Sequence, residues 1–117
     1  MSRFVTLLAA TIAIPLCAAS MPADAASFNC HKAKTASEKA VCARPTLNVL
    51  DQRMGTIYRT LLSMVGHSGQ RDQFQADQQY WLGVRDGCAA DADCLRLAYH
   101  NRIIDLNGYI AAVKAAG

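Results

Sequence analysis

The stretch Trp81-Leu82-Gly83-Val84-Arg85-Asp86-Gly87-Cys88-Ala89-Ala90-Asp91-Ala92-Asp93-Cys94-Leu95 decides the fold. Its first half places Trp81, Leu82 and Arg85 toward one side of a helix, and Gly87 is the residue type that closes such a helix in the left-handed conformation. Its second half restarts at Asp93, whose carboxylate suits an N-cap because it accepts a hydrogen bond from a free first-turn amide. Between the halves, Cys88 and Cys94 bracket a short acidic loop whose ends a turn brings together. The segment therefore predicts two helices clipped at their junction.

Working outward, the helix that ends here starts near Gln70, with Phe74 on the same side as Trp81 and a glutamine-rich opposite face. The helix that begins here keeps Leu95, Tyr99, Ile103, Leu106, Ile110 and Val113 at helical spacing. Further upstream, Leu47, Leu50, Met54, Ile57, Tyr58, Leu61, Leu62 and Val65 recur at three- and four-residue steps, the stripe of a long amphipathic helix. Pro45 suits its first turn, and Gly66-His67-Ser68-Gly69 breaks it. Before it, Thr35-Ala36-Ser37-Glu38 has the spacing of a capping box and predicts a short helix to about Cys42. No segment alternates with a period of two. The expectation is an all-α fold, a small bundle of one short and three longer helices with two disulfides.

Four cysteines, Cys30, Cys42, Cys88 and Cys94, permit three pairings, and sequence does not choose among them. Loop geometry favours the local solution, Cys30 with Cys42 and Cys88 with Cys94. On the chain-entropy model, closing loops of this size contributes roughly 2–3 kcal/mol each. Structural zinc sites space their ligands two to four residues apart, which neither Cys30-x11-Cys42 nor Cys88-x5-Cys94 matches. A C-x-x-C pair with a low-pKa thiol is also missing. No metal and no cofactor are expected.

Residues 1–25 read as a secretory leader. Arg3 gives the positive start, Phe4 to Leu16 the apolar run, and Ala23-Asp24-Ala25 the small-x-small cleavage pattern. The run is shorter than the roughly 20 residues of a membrane-spanning helix and contains Pro15, so no integral membrane anchor is expected. Cys17 follows the run, but Leu16 before it is too bulky for lipoprotein processing. Residues 26–117 then form one domain, near the size at which a core benefits from covalent help.

The net charge of +3 is spread over scattered basic residues interleaved with acids, which argues against a nucleic-acid partner. His31, His67 and His100 lie in three different segments, and no nucleophile elbow, phosphate loop or H-E-x-x-H run appears. Asp86, Asp91 and Asp93 lack the spacing and terminal glutamate of a calcium loop. Glu38 is the only glutamate, so no carboxylate pair for glycoside hydrolysis stands out. The chain reads as a binding protein and not as an enzyme.

The ordered set Phe28-x-Cys30, Glu38-x-x-x-Cys42, Leu50-Asp51, Tyr58, Trp81-Leu82-x-x-Arg85-Asp86-x-Cys88, Cys94-Leu95, Tyr99, Arg102-Ile103 and Leu106 resembles the LprI-type lysozyme-inhibitor family of small exported bacterial domains. The resemblance runs from about Phe28 to Leu106. It implies a disulfide-bonded helical domain of the periplasm or cell envelope, with lysozyme as protein partner. The missing lipobox points to a soluble periplasmic form.

Two groups of residues are candidates for function. Trp81 and Arg85 are four apart on one helix, so the guanidinium is expected near the indole and within reach of Asp51 or Glu38, with Tyr58 and Tyr99 closing the same seam. This group is either an interhelical clamp or a partner-binding anchor. The second group is the loop His67-Ser68-Gly69-Gln70-Arg71, which resembles the Ser-Gly start of inhibitory loops in unrelated lysozyme inhibitors but lacks the tyrosine that follows there. A charge of +3 gives no long-range steering toward a basic lysozyme, so affinity would rest on local fit. A competing expectation is a non-inhibitory envelope module that touches cell-wall or membrane components.

Overall fold

A computed structural model describes residues 27–117; the leader expected over 1–25, with Cys17, lies outside them. A 3-10 turn at Cys30–Lys32 leads to four helices: α1 (Ala36–Ala43), α2 (Pro45–Val65), α3 (Gly69–Gly87) and α4 (Ala92–Ala116). The described residues contain no strand.

Each boundary has a local cause. Thr35 Oγ1 accepts from the Glu38 amide at 3.1 Å while Glu38 Oε2 accepts from the Thr35 amide at 3.3 Å, the reciprocal capping box that opens α1. Proline at the start of α2 has no amide to leave unsatisfied, so that helix begins without a side-chain cap. It ends at Gly66, whose φ of 57° suits a residue without Cβ.

The junction between α3 and α4 departs from expectation at two positions. Gly87 is still helical, and the left-handed residue is Ala89, at φ 50°. The N-cap of α4 is Asp91, whose Oδ1 accepts from the Cys94 amide at 2.9 Å, while Asp93 sits in the first turn and pairs with Arg96 at 2.9 Å. Both shifts follow from the Cys88–Cys94 disulfide, which spans Cα atoms 5.5 Å apart. Tying Cys94 that close to Cys88 pulls the start of α4 back two residues and tightens the turn, with Ala89 and Asp91 amides donating to Asp86 and Cys88 carbonyls. Cys30 and Cys42 form the second bridge, at a Cα separation of 5.8 Å.

Contacts along the helices set their directions. Leu47 and Leu50 of α2 border the same surface pocket as Ala92 and Arg96 of α4, and Asp51 lies against Tyr99, so α2 and α4 run parallel. Phe74 packs on Tyr109 and Gln78 bonds Arg102, so α3 runs antiparallel to both. The core between them is Leu47, Met54, Leu61, Trp81, Leu95, Tyr99, Ile103 and Leu106, with Val41 entering from α1. Truncating one of its fully buried leucines to alanine costs about 2–5 kcal/mol. Both disulfides lie toward the end of the bundle where α2 and α4 begin. The opposite end, at the α2–α3 turn, carries no disulfide and is held by hydrogen bonds and by apolar packing such as Phe74 on Tyr109.

Candidate functional site

The signature side chains turn inward and form a polar seam through the bundle. At its centre Asp51 is 0% exposed. Its carboxylate accepts a hydrogen bond from the Tyr99 hydroxyl at 2.8 Å and another from the Ser27 amide. Burial, and then the charge of Asp51, push the Tyr99 phenol far above its ordinary value. Ser27 approaches because residue 55 of α2 is glycine: a Cβ there would lie 2.8 Å from the Ser27 Cβ. The N-terminal strap, residues 27–35, is thus joined with α2 and α4 at one carboxylate.

A second knot ties α1 to the end of α3. Arg85, 3% exposed, donates from Nη2 to Glu38 Oε1 at 3.4 Å and from Nε and Nη2 to Asp86 Oδ1 at 3.0 and 2.9 Å. Asp86 also accepts from the hydroxyls of Ser37 and Thr35. Partial burial works to raise the Asp86 pKa, but the bonds from Ser37 and Arg85 outweigh it and hold the carboxyl below its ordinary value. For Arg85, burial opposes the cation and Tyr99 with Asp86 outweigh it, so its pKa is raised.

The third knot is Arg102, also 3% exposed. It donates to Gln78 Oε1 from Nε and Nη2 at 3.0 and 2.8 Å and to Asp77 Oδ2 from Nη1 at 2.7 Å. Gln78 in turn donates to the Met54 sulfur at 3.3 Å. Every fully buried side-chain polar atom among the described residues has a partner, as a stable low-dielectric network requires.

Of the residues expected in one seam, Trp81, Arg85, Asp51, Glu38 and Tyr99 meet there with other pairings, and Tyr58 does not join them. Arg85 lies over the Phe28 ring, 5.6 Å from its centroid, and the cation over Trp81 is Arg102, at 5.8 Å. Trp81 meets Tyr99 edge-on at 5.2 Å. Asp51 bonds Tyr99 instead of Arg85, and Glu38 is the more remote of the two acids on Arg85. Tyr58 stands outside the knots, half-buried at the edge of a groove. Arg102, Gln78 and Ser37 were not singled out for these roles. Arg102 had a signal, since it shares one helical stripe with Leu95, Tyr99 and Leu106, where a cation must be paired to be buried.

The loop residues are divided. Ser68 caps α3, its Oγ accepting from the Arg71 amide at 3.4 Å and donating to the Val65 carbonyl at 2.9 Å. Arg71 folds back and donates from Nη1 to the Leu62 and Gly66 carbonyls at 3.0 and 3.4 Å, bracing the end of α2 instead of projecting from it. His67, Gly69 and Gln70 are exposed. His31 and His100 are exposed as well, and no three His, Cys, Asp or Glu side chains of the described residues converge on a metal-sized site. None of the described helices is long and apolar enough to cross a membrane.

The family described as "Lysozyme inhibitor LprI" matches residues 30–114. Proteins named "Lipoprotein LprI" from Mycobacterium bovis and from two strains of Mycobacterium tuberculosis are each 30% identical to this chain over 113 residues. That alignment covers 89% of this chain and 55% of each relative, so the chain spans about half the length of these proteins. No solved structure matches. The matched residues include both disulfides and every member of the three knots except Ser27, and the chain belongs to the LprI lysozyme-inhibitor family.

Proposed function

We propose that this protein is exported to the periplasm, carries no catalytic site, and inhibits a lysozyme by protein–protein contact. The family match over residues 30–114 carries the reading. The direction of the signature side chains supports a surface mechanism: Trp81, Arg85, Asp51 and Arg102 are spent on joining helices, so recognition falls to exposed groups.

The α2–α3 turn is the proposed inhibitory element. Ser68 and Arg71 fix its shape from within, while the exposed His67 imidazole and Gln70 carboxamide stand ready as hydrogen-bond donors. A lysozyme works through two carboxyl groups that flank the scissile bond. A rigid turn bearing donors and no acid between Gly66 and Arg71 is a fitting plug for such a cleft. Because the turn is already ordered, little entropy is lost when it docks.

The test is a turbidity assay of cell-wall lysis with animal and bacterial lysozymes and the oxidised protein. Inhibition of at least one class at micromolar protein is expected; none against any class overturns the reading. His67→Ala with Gln70→Ala should weaken inhibition at unchanged thermal stability. Arg71→Ala should lower stability by about 1 kcal/mol, because two helix-end carbonyls lose their donor.

A further inference from the structure

The core uses only one face of α4. Leu95, Tyr99, Ile103 and Leu106 turn inward, yet the opposite face is apolar as well, with Leu97 and Ile104 61% and 68% exposed. A helix that is apolar on both faces is normally covered on both. The outer stripe is Leu97, Asn101, Ile104, Gly108, Ala111 and Ala115, all exposed and spaced alternately four and three residues apart over about 27 Å. That is the spacing of a two-helix seam. On its Asp105 side the stripe is widened by α3: Arg102, three residues before Asp105, bonds Asp77, and Tyr80 and Val84 follow Asp77 at three and seven residues. Four of the five large apolar side chains that the described residues expose therefore gather on one surface, and only Val49 lies elsewhere. Such a gathering marks a contact surface.

Three features select the occupant. Asn101 sits within the stripe, where an apolar partner would leave its carboxamide unpaired. In a parallel two-fold pair of α4 helices Asn101 meets its own copy, and each carboxamide donates to the other. His100 and Asp105 border the stripe on opposite sides, both are exposed, and neither forms an ion pair among the described residues. In a parallel pair each flank residue meets the residue five positions on in the other helix, so His100 of each copy donates to Asp105 of the other. An antiparallel pair mates unlike positions and sets Asn101 against an apolar side chain. A lipid surface is disfavoured for a separate reason: an interfacial helix carries Lys or Arg along its flanks, and no exposed Lys or Arg lies between Leu97 and Val113.

We infer that the outer face of α4 pairs with the same face of a second copy of this chain, forming a parallel two-fold dimer. One helix face with two large side chains covers less than the roughly 800 Å² per partner of a standard interface, so the dimer is weak, with Kd on the order of 10–100 µM. The helix is already ordered by the bundle, which lowers the cost of docking. The dimer does not depend on lysozyme inhibition.

The test is sedimentation equilibrium of the oxidised protein from about 1 µM to 1 mM with no other protein present, joined to concentration-dependent amide NMR shifts. A monomer–dimer transition is expected in that range. The shifts should fall on the outer face of α4 and around Tyr80 and Val84. Ile104→Asp should abolish the dimer, and Val49→Asp, on the outer face of α2, should leave it intact. His100→Asp should weaken it about threefold to tenfold by placing like charges together, and adding Asp105→Lys should restore it. Because these side chains are exposed, circular dichroism of the dilute variants should match wild type. A monomer at 1 mM, a dimer that survives Ile104→Asp, or a charge swap that fails to restore association overturns the inference. So does a chain that stays monomeric but loses lysozyme binding with Ile104→Asp, which would give this face to that partner instead.

Discussion

Replacing Tyr99 by phenylalanine removes one oxygen from the centre of the bundle and tests whether the seam holds the fold. The ring, its packing on Trp81 and the surrounding volume are retained, so the cavity contribution is small. What is lost is the hydrogen bond of 2.8 Å to a carboxylate with no exposure to water. A bond to a charged partner contributes about 1.5–3 kcal/mol, and a buried acceptor left one donor short keeps most of that cost. With the Ser27 amide still donating, the expected loss at pH 7 is about 2 kcal/mol, or a fall in Tm of about 8–16 °C for a domain of this size.

The same substitution carries a pH signature. The folded-state pKa of Tyr99 is raised above 10.0, so its contribution is complete below pH 10 and fades as pH rises beyond it, where the unfolded chain ionises first. The gap between wild type and Tyr99→Phe should therefore shrink above pH 10 by up to about 1.4 kcal/mol per pH unit, leaving roughly 0.6 kcal/mol at pH 11. Tyr58 is present in both proteins and cancels. Urea unfolding followed by circular dichroism at both pH values, with the disulfides intact and unchanged m, measures this. A gap under about 0.5 kcal/mol at pH 7, or the same gap at pH 7 and pH 11, would refute the reasoning.

Three further outcomes follow from the geometry. Ala89→Gly should stabilise the protein by about 1 kcal/mol in the same unfolding assay, because it relieves a left-handed alanine at φ 50°. Gly55→Ala should destabilise by about 1 kcal/mol despite its better helix propensity, since the new Cβ displaces Ser27 and its bond to Asp51; faster hydrogen exchange at the Ser27 amide reports the displacement. Asp86→Asn should flatten the acid limb of stability. The depressed carboxyl of the native protein contributes fully above its unfolded value of 3.8 and is lost as pH falls through the lower folded value, so the two proteins should converge between pH 5 and pH 2.

Helix positions were legible because burial imposes a periodicity on composition, and the caps at Thr35 and Pro45 add a chemical mark at their ends. The junction was misjudged by two residues on each side. Local propensity favours Gly87 as the stop and leaves Asp91 and Asp93 equivalent, but a covalent bridge of fixed span overrides both. Side-chain pairing was legible only as membership. Spacing of four residues puts Trp81 and Arg85 on one face, yet the guanidinium at the last turn of α3 reaches past its neighbour to the acids of α1 and α3, and the indole takes a cation from α4. The role of Arg71 was hidden for a related reason. A sequence shows that a helix has ended, and not which distant guanidinium will satisfy its last carbonyls.

The two bridges also decide how the molecule meets a protease. Each closes a loop within one half of the chain, Cys30 to Cys42 and Cys88 to Cys94, and neither spans the exposed turn around Gly66 and Gly69. A single cut in that turn would leave two fragments that neither bridge joins, held together only by the parallel contact of α2 with α4 and by the buried knots. Resistance to proteolysis therefore depends on the Arg71 brace and the Asp51 centre, and the bridges guard the other end.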